Sequence, residues 1–184
     1  MSARDTVVHV ITTERLLLRR WTASDLEPFA ALNADPEVMR YFPMALTASE
    51  SDAMVERIEA RFESEGLGFW AVEREGKFLG FTGLSRPKFD AHFTPVVEVG
   101  WRFARSAWGN GFATEAARAA LTFGFETLGL DEIVAFTTVT NEPSRAVMRR
   151  IGMTHNPADD FDHPLLPGHP LQRHVLYRMR QPIS

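Results

Sequence analysis

Two glycines that stand one residue apart are the most informative chemical feature of this sequence. Gly109 and Gly111 lie between a stretch with strand character and an apolar stretch with helix character, within residues 105–116. Glycine lets the backbone approach a ligand closely, and the first N–H groups of a helix, with its positive dipole end, favour an anion. The spacing therefore predicts a cradle for a phosphate or pyrophosphate at the start of a helix.

The same pair of glycines also has a purely structural interpretation, because a tight turn that closes a strand onto a helix has this pattern. Nucleotide-binding folds fit less well. The sequence has no G-x-x-x-x-G-K-S/T motif, which excludes an ATP or GTP P-loop, and Gly111 is followed by Phe112, Ala113 and Thr114 where a dinucleotide fingerprint continues to a third glycine. A dinucleotide-binding protein is therefore the disfavoured alternative.

Three histidines near the end of the chain are the residues that could suggest a metal site. His163, His169 and His174 alternate with prolines in an irregular stretch, so their spacing gives no preferred ligand geometry. The chain also contains no Cys, which excludes disulfides, thiolate metal sites and a cysteine nucleophile. We therefore expect no metal.

Length and composition predict one globular domain over residues 1–184, with 45% apolar and 24% charged residues. The net charge of -4 argues against a nucleic-acid partner, because phosphate neutralisation needs clustered basic residues. No run approaches about 18 apolar residues, and the first residues do not form a leader. We therefore expect a cytoplasmic protein without membrane association.

Hydrophobic periodicity and turn residues divide the chain into alternating elements. The predicted elements are a bent opening strand over 8–20, helices over 24–33 and 36–42, a third helix that starts after residue 47 and ends at the glycines 66 and 68, a hairpin of 69–74 and 77–84, a strand over 96–103, a helix over 113–128, a strand over 133–139, a helix over 143–151 and a last strand over 175–179. This order predicts a mixed α+β fold rather than a repetitive βαβ array.

Two of the predicted helices begin with the spacing of a capping box, in which a hydroxyl and a carboxylate each satisfy a free N–H group. Ser24 with Glu27 predicts the start of the first helix, and Thr47 with Glu50 predicts the start of the third.

The chain resembles the GCN5-related N-acetyltransferase superfamily, and within it the branch of the ribosomal-protein RimJ/RimL acetyltransferases. The matching segments follow the family's order: TERLLLR at 13–19, DPEVM at 35–39, EVGW at 98–101, WGNGFATEA at 108–116, and NEPS with IGM at 141–144 and 151–153. The resemblance implies a central, mostly antiparallel twisted sheet flanked by helices. Two parallel strands in it, the family's fourth and fifth, splay apart.

The resemblance also implies acetyl-CoA as the cosubstrate and assigns the residues that bind it. The turn from Trp108 through Gly109, Asn110 and Gly111 to Phe112, Ala113 and Thr114 would bind the pyrophosphate through backbone N–H groups. The backbone of Phe103 and Arg105 would border the pantetheine arm, and Asn141 would hydrogen-bond that arm from the other side. Ser144 would lie near the thiol.

Two positions depart from the family pattern. Ser106 stands where Gln or Arg is usual, three positions before the first glycine, and Arg105 precedes it. Met148 replaces a Tyr that is common seven residues after Asn141 and that serves as the usual general acid. The second departure leaves an acyl-CoA-binding or sensing module without turnover as the alternative function.

Two residues are candidates for the catalytic roles. Acetyl transfer to an amine needs a base for the amine and an acid for the departing thiolate. Glu98, beside the expected thioester, is the candidate base, with a salt-bridged strand carboxylate as its structural alternative. Ser144 is the candidate acid by the same resemblance, with a first-turn helix residue as its alternative. A backbone N–H of residues 101–103 would stabilise the oxyanion.

The acceptor is expected to be a primary amine, either a protein N-terminus or a small amine, attacked directly in a ternary complex. Phe42, Trp70 and Trp101 are candidate acceptor contacts, with core packing as the alternative for both tryptophans. His163 belongs to a C-terminal tract that the resemblance places on the acceptor side. A homodimer is common among relatives.

Overall fold

The computed structural model describes residues 10–181, in which one sheet is assembled from nine strands. The strands are β1 (Ile11–Thr12), β2 (Leu17–Arg19), β3 (Phe69–Arg74), β4 (Lys77–Ser85), β5 (Val97–Phe103), β6 (Glu132–Thr138), β7 (Thr154–His155), β8 (Phe161–Asp162) and β9 (Arg173–Arg180). The helices are α1 (Leu26–Ala34), α2 (Ala48–Glu65), α3 (Phe112–Thr122) and α4 (Glu142–Arg150). The mixed α+β fold predicted from the sequence is confirmed.

The strands follow the order β1-β2-β3-β4-β5-β6-β9-β7, with β8 paired to β9, and β5 with β6 is the parallel pair of this described sheet. These two strands pair only at their first residues, where Val97 faces Ile133 and Glu98 faces Val134. Beyond that point their carboxyl ends diverge, as the resemblance implied. The divergence opens the sheet at its centre, and β4 and β9 take up the hydrogen bonds on the outer edges of the two strands.

The first predicted strand is a hairpin instead of one bent strand. β1 and β2 are antiparallel, with Ile11 opposite Leu18, and the N–H of Thr13 donates to the carbonyl of Leu16 across the turn. The residues that interrupt the alternation in the sequence therefore reverse the chain. Val8, predicted at the start of this strand, lies outside the described residues.

The two predicted capping boxes have different outcomes. At α2, the N–H of Glu50 donates to Thr47 Oγ1 at 3.2 Å and the N–H of Thr47 donates to Glu50 Oε2 at 2.8 Å, which confirms the box. The box at Ser24 and Glu27 is wrong. A 3-10 turn over Ala23–Asp25 comes before α1, and Asp25 accepts the N–H of Thr22 at 2.8 Å.

The segment predicted as a helix over 36–42 forms only a 3-10 turn, Met39–Tyr41. The helix predicted over 113–128 changes type part-way: α3 ends at Thr122 and a π-helical turn follows over Phe123–Thr127. Gly124 in this turn packs directly on the sheet, where an added Cβ would come within 2.6 Å of Ile133 Cδ1 and 3.0 Å of Leu84 Cδ1. A side chain at this position would have to displace the terminal methyl groups of Ile133 and Leu84.

The C-terminal stretch predicted as an irregular loop contains the two short strands β7 and β8, both paired to β9. A second, aromatic cluster of Phe93, Phe136 and Phe161 forms beneath them. Two-residue strands of this kind have too short a pattern to be recognised in a sequence. Across residues 10–181, no helix combines the length and the apolar composition needed to cross a membrane.

Candidate active site

A large cleft opens where β5 and β6 diverge. Its volume is about 1930 Å3, well above the roughly 300–1,000 Å3 of an ordinary small-molecule pocket. The splayed strands, the turn before α3, the first turns of α3 and α4, and the segment after α1 contribute its walls. A cleft of this size can hold two ligands at once.

The glycine turn forms one end of the cleft. Gly109 and Gly111 have φ angles of 75° and 78°, which L-residues with a side chain rarely adopt. Gly111 is also the N-cap residue of α3 and offers no side chain to the helix. The first N–H groups of α3 therefore lack an intrahelical acceptor and face the cleft at the positive end of the helix dipole.

Arg15 braces this turn from the N-terminal hairpin. Its Nη1 donates to the carbonyl of Asn110 at 2.9 Å, its Nε donates to Glu115 Oε2 at 2.7 Å, and its guanidinium lies 4.8 Å from the centre of the Phe112 ring. Burial alone would raise the pKa of Glu115, but hydrogen bonds from Thr13 and Arg15 outweigh it and hold that pKa below its ordinary value. The sequence did not predict this role of Arg15, although Arg15 lies within the segment 13–19 that carries the family resemblance.

The structure places most of the predicted cofactor residues in the cleft wall. Those that line it are Phe103, Trp108, Gly109, Gly111, Phe112, Ala113, Thr114, Asn141 and Ser144. Asn110 and Arg105 do not line it: the Asn110 side chain donates to the carbonyl of Trp108 at 3.0 Å, and Arg105 Nε donates to Asp35 Oδ2 at 2.7 Å. The carbonyl of Phe103 already accepts the indole N–H of Trp108 at 2.9 Å.

Asn141 has a structural partner on each side of its amide. Its Oδ1 accepts the N–H of Ser144 at 3.3 Å as the N-cap of α4, and its Nδ2 donates to Thr137 Oγ1 at 2.8 Å. One amide hydrogen therefore stays available to a ligand. Ser144 lies in the first turn of α4 and lines the cleft, and Met148, one turn further, lines it with an apolar side chain.

Glu98 lies near the point where β5 and β6 separate. Its Oε1 accepts a hydrogen bond of 3.0 Å from Ser85 Oγ on β4, and Arg61 Nη1 donates to the same hydroxyl at 3.4 Å. Burial raises the pKa of Glu98 to about 7, against the opposing effects of Ser85 and Arg61. The structure therefore places a carboxyl group with a pKa near neutrality in the cleft wall, which suits a group that accepts a proton from an amine.

Strand alternation separates the remaining candidates between the two faces of β5. Arg102 shares the face of Glu98, because residues four apart point the same way, whereas Trp101 lies on the opposite face. Phe42, Tyr41 and Arg102 line the cleft together. Sequence reasoning missed Tyr41 and Arg102, although the alternation that selected Glu98 also selects Arg102.

Trp70 does not reach the cleft. It is 0% exposed and packs between Phe62 of α2 and Phe123, whose ring centres lie 5.6 and 5.2 Å from its own. The structure thus places it in the core, which was the alternative to acceptor contact. A large aromatic residue on a strand gives no sequence signal that separates these two locations.

His163 lines the cleft from the β6 side, together with His174, and their ring centres are 5.0 Å apart. Burial lowers the pKa of both imidazoles, and the neighbouring His174 lowers that of His163 further. Both rings are therefore neutral at pH 7. In the described part of the chain, no group of three His, Asp or Glu side chains has the arrangement of a metal site.

Comparison with known proteins decides the family of this fold and cleft. A sequence model described as Acetyltransferase (GNAT) domain matches residues 15–154, which include β5, the glycine turn and α4. The chain belongs to the GNAT acetyltransferase family. It is accordingly an acetyl-CoA-dependent acetyltransferase, and the superfamily predicted from the sequence motifs is confirmed.

The relatives of this GNAT chain agree with that assignment. It is 32% identical over 149 residues to the uncharacterized protein YkkB of Bacillus subtilis, covering 79% of this chain and 86% of that protein. It is 34% identical over 133 residues to the FsC-acetyl coenzyme A-N(2)-transacetylase of Aspergillus fumigatus. That match covers 67% of this chain and 56% of the fungal protein.

Solved structures share the fold. An acetyltransferase from Agrobacterium tumefaciens superposes with a TM-score of 0.78 at 26% identity, over 95% of each chain. The ribosomal L7/L12 alpha-N-protein acetyltransferase RimL, solved in complex with coenzyme A, superposes with a TM-score of 0.76 at 14% identity, over 94% of this chain and 98% of RimL. At that identity, the likeness to RimL concerns the fold.

Proposed function

We propose that this GNAT enzyme transfers the acetyl group of acetyl-CoA to a primary amine by direct attack in a ternary complex, with the chain acting as one catalytic domain. The observation that carries the proposal is Glu98, a carboxylate with a pKa of about 7 in the wall of the same cleft as the glycine turn. A base with this pKa ionises near neutral pH and can accept the proton that an amine must lose.

The glycine turn and the start of α3 suit the pyrophosphate of acetyl-CoA. Two left-handed glycines and a helix N-terminus with no capping side chain favour an anion there, and Arg15 braces the turn through the carbonyl of Asn110. The pantetheine arm would follow the open ends of β5 and β6 beside Phe103, which lines the cleft, and would not reach Arg105, which does not. Asn141 would contact the arm through its remaining amide hydrogen.

Acetyl-CoA supplies an activated acyl group, and the residues of this chain handle its protons. The amine nitrogen forms a bond to the acetyl carbon while the bond from that carbon to sulfur breaks. Glu98 takes the amine proton, directly or through a water, and a backbone N–H of residues 101–103 stabilises the negative charge on the acetyl oxygen. Ser144 hydrogen-bonds the departing thiolate and passes it a proton while its own hydroxyl is reprotonated by water, because the thioether of Met148 has no proton to give.

Nitrogen is the acceptor atom that the relatives support. The fungal relative carries the name of an N(2)-transacetylase, and RimL is named for a protein α-amino group. A protein N-terminus and a small amine are both open as acceptors of this chain. The homodimer and the cytoplasmic location stay predictions.

The first experiment is a thermal-shift titration with acetyl-CoA, CoA and NAD, followed by thiol release with peptide N-termini and small amines. Acetyl-CoA is expected to raise the melting temperature of wild type and of Glu98→Gln alike, and only wild type should release thiol at full rate. No shift at up to about a millimolar acetyl-CoA, where even weak binding stabilises, would contradict the cofactor assignment. A shift by NAD alone would favour a dinucleotide site.

Met148 in place of the usual tyrosine keeps a sensing module as the second candidate. Binding of acetyl-CoA without turnover of any amine, by wild type and by Met148→Tyr, would favour that candidate. Turnover by Met148→Tyr alone would show that the acid is the missing part.

A further inference from the structure

Arg102 lines the wall of the cleft on the same face of β5 as Glu98, and no carboxylate of the described residues pairs with it. Within residues 10–181, no Asp or Glu oxygen comes within 4.0 Å of a guanidinium nitrogen of Arg102, and its hydrogen-bond partner is the amide oxygen of Asn33, which accepts from Nη1. Arg15, at the other end of the cleft, is by contrast paired with Glu115.

The guanidinium of Arg102 has one donor nitrogen at the cleft that no protein group uses. Nη1 is used by Asn33, Nε is buried without a partner, and Nη2 makes no hydrogen bond to the described residues. An arginine presents pairs of parallel N–H groups that match the two oxygens of a carboxylate. Of the three guanidinium nitrogens, Nη2 is therefore the one left to a ligand in the cleft.

Aromatic rings hold the guanidinium in place. Its central carbon lies 4.0 Å from the ring centre of Phe42 and 5.3 Å from that of Phe81, so the cation contacts two aromatic rings. Phe42 also lines the cleft and is 36% exposed, on the segment between α1 and α2. Burial lowers the pKa of Arg102 to about 10, which leaves it charged at neutral pH.

Arg102 lies on the face of β5 opposite to the one on which α3 and the turn that continues it pack. Arg102 and Glu98 lie on one face of β5, the face that Asn33 of α1 covers, whereas the turn after α3 packs on the other face at Leu84. The Cα atoms of Glu98 and Arg102 are four residues apart on the strand, which is about 13 Å at about 3.3 Å per residue. A ligand that reaches both groups needs its amine and its anion separated by several bonds.

We propose that the acceptor of this enzyme is an amine that also carries a carboxylate several bonds away, and that Arg102 binds this carboxylate while the amine lies at Glu98. The proposal rests on the proposed function, since it names the acceptor class of the same cleft. The proposed acceptor carries a negative group, whereas the net charge of -4 by itself would favour a cationic acceptor.

The test compares four acceptors of equal chain length. They are a straight-chain ω-aminocarboxylate, the alkylamine that has no second charged group, the diamine and the ω-aminoalkyl phosphate. Wild type is expected to show its highest kcat/KM with the aminocarboxylate. In Arg102→Gln the ratio of kcat/KM for the aminocarboxylate to that for the alkylamine should fall about 10- to 100-fold, mainly through KM, as for a lost charge-assisted hydrogen bond. Arg102→Lys should restore only part of it.

Arg40→Gln is the matched control, because Arg40 is a nearby exposed cation that stacks on Tyr41 and should leave this ratio unchanged. An unchanged thermal shift of Arg102→Gln by acetyl-CoA shows that the variant is folded. Equal kcat/KM for the aminocarboxylate and the alkylamine in wild type would overturn the proposal and leave the proposed function intact. A preference for the phosphate would overturn the choice of carboxylate.

Failure of the proposed function gives a different result, namely no acetyl-CoA shift or no turnover with any amine. The carboxylate site is then judged by a readout that needs no turnover. The ω-aminocarboxylate should raise the melting temperature of wild type in the presence of CoA, and Arg102→Gln should lose that shift. If the ω-aminocarboxylate does not shift the melting temperature of wild type, the carboxylate site at Arg102 is contradicted.

Discussion

Glu98 combines three properties that a proton acceptor needs: access to the cleft, a fixed orientation and a pKa near the working pH. Ser85 holds one carboxylate oxygen, and Oε2 has no hydrogen-bond partner in the described part of the chain. The raised pKa follows from burial, so the same wall that excludes water also tunes the base.

The rate of acetyl transfer should therefore depend on the ionisation of Glu98. Because the base acts in its charged form, kcat/KM is expected to rise with pH through about 7 and to level above it. Glu98→Gln should lower kcat by about 100-fold or more and remove this pH dependence. Thiol release measured across the pH range with a fixed acceptor gives the profile.

Ser85→Ala is the companion variant for that profile. The hydroxyl of Ser85 lowers the pKa of Glu98, so its loss should move the rise in kcat/KM to higher pH without abolishing it. A merely structural Ser85 would change the melting temperature and leave the profile where it was. An unmoved profile would mean that another group titrates.

At the scale of elements, the turn before α3 matters through its backbone. Gly109→Ala should weaken acetyl-CoA binding, since φ of 75° is strained for alanine and the turn would relax away from its shape. Gly129→Ala is a matched control: Gly129 has φ of 65°, and neither position has an atom within 4 Å of an added Cβ.

Both alanine variants are expected to lose stability by about 1–2 kcal/mol from the left-handed conformation. Only Gly109→Ala should raise the Kd of acetyl-CoA, by about 10-fold if one backbone hydrogen bond to the ligand is lost. Isothermal titration measures the affinity and denaturant unfolding the stability. Equal affinities in the two variants would show that the turn does not bind the cofactor.

The brace from Arg15 to this turn gives a second element-scale prediction. Arg15→Gln loses the hydrogen bonds to Asn110 and Glu115 and should weaken acetyl-CoA binding several-fold. Arg74→Gln is the control, because Arg74 also stacks on Phe112, at 5.4 Å, without bonding the turn. Titration of both variants separates the hydrogen bonds from the aromatic contact. A similar loss in Arg74→Gln would assign the effect to packing on Phe112.

Elements with a strong local signal were predictable from the sequence, and those that depend on distant partners were not. The hairpin β3–β4, α2 with its Thr47 cap, and the turn before α3 follow from turn residues and periodicity. Asp25 replaces Glu27 as the capping carboxylate because Arg19 binds it at 2.7 Å from the neighbouring β2. Such a partner is invisible to a pattern read along one segment.

The residues of the site also fall into those that the sequence predicts and those that depend on distant partners. Glu98 and the glycine turn are marked by residue type and by neighbours in the sequence. Arg102 owes its placement to Asn33, which is 69 positions away, and to the rings of Phe42 and Phe81. Trp70 was a candidate because a strand pattern does not tell which face meets the core. Burial and pairing across the sheet decide such cases.

For the whole molecule, the raised pKa of Glu98 connects activity to stability. The folded pKa of about 7 exceeds the ordinary value of 4.5, so the folded chain holds this proton more tightly than the unfolded chain. The stability contributed by the neutral carboxyl is complete below about pH 4.5 and is lost as the pH rises through about 7. The base becomes active over the same range in which it destabilises the fold.

Glu98→Gln should remove this loss. Its free energy of unfolding is expected to match that of wild type near pH 5 and to exceed it by about 1–3 kcal/mol near pH 8, measured by urea unfolding at both values. Glu56→Gln, at an exposed position of α2, is the control, and its stability relative to wild type should not change between these two pH values. A Glu98→Gln variant no more stable than wild type at pH 8 would mean that the ionised carboxylate is well solvated in the folded protein. The pH dependence of the rate would then require a different group, and the pair of neutral histidines across the cleft would be the next to test.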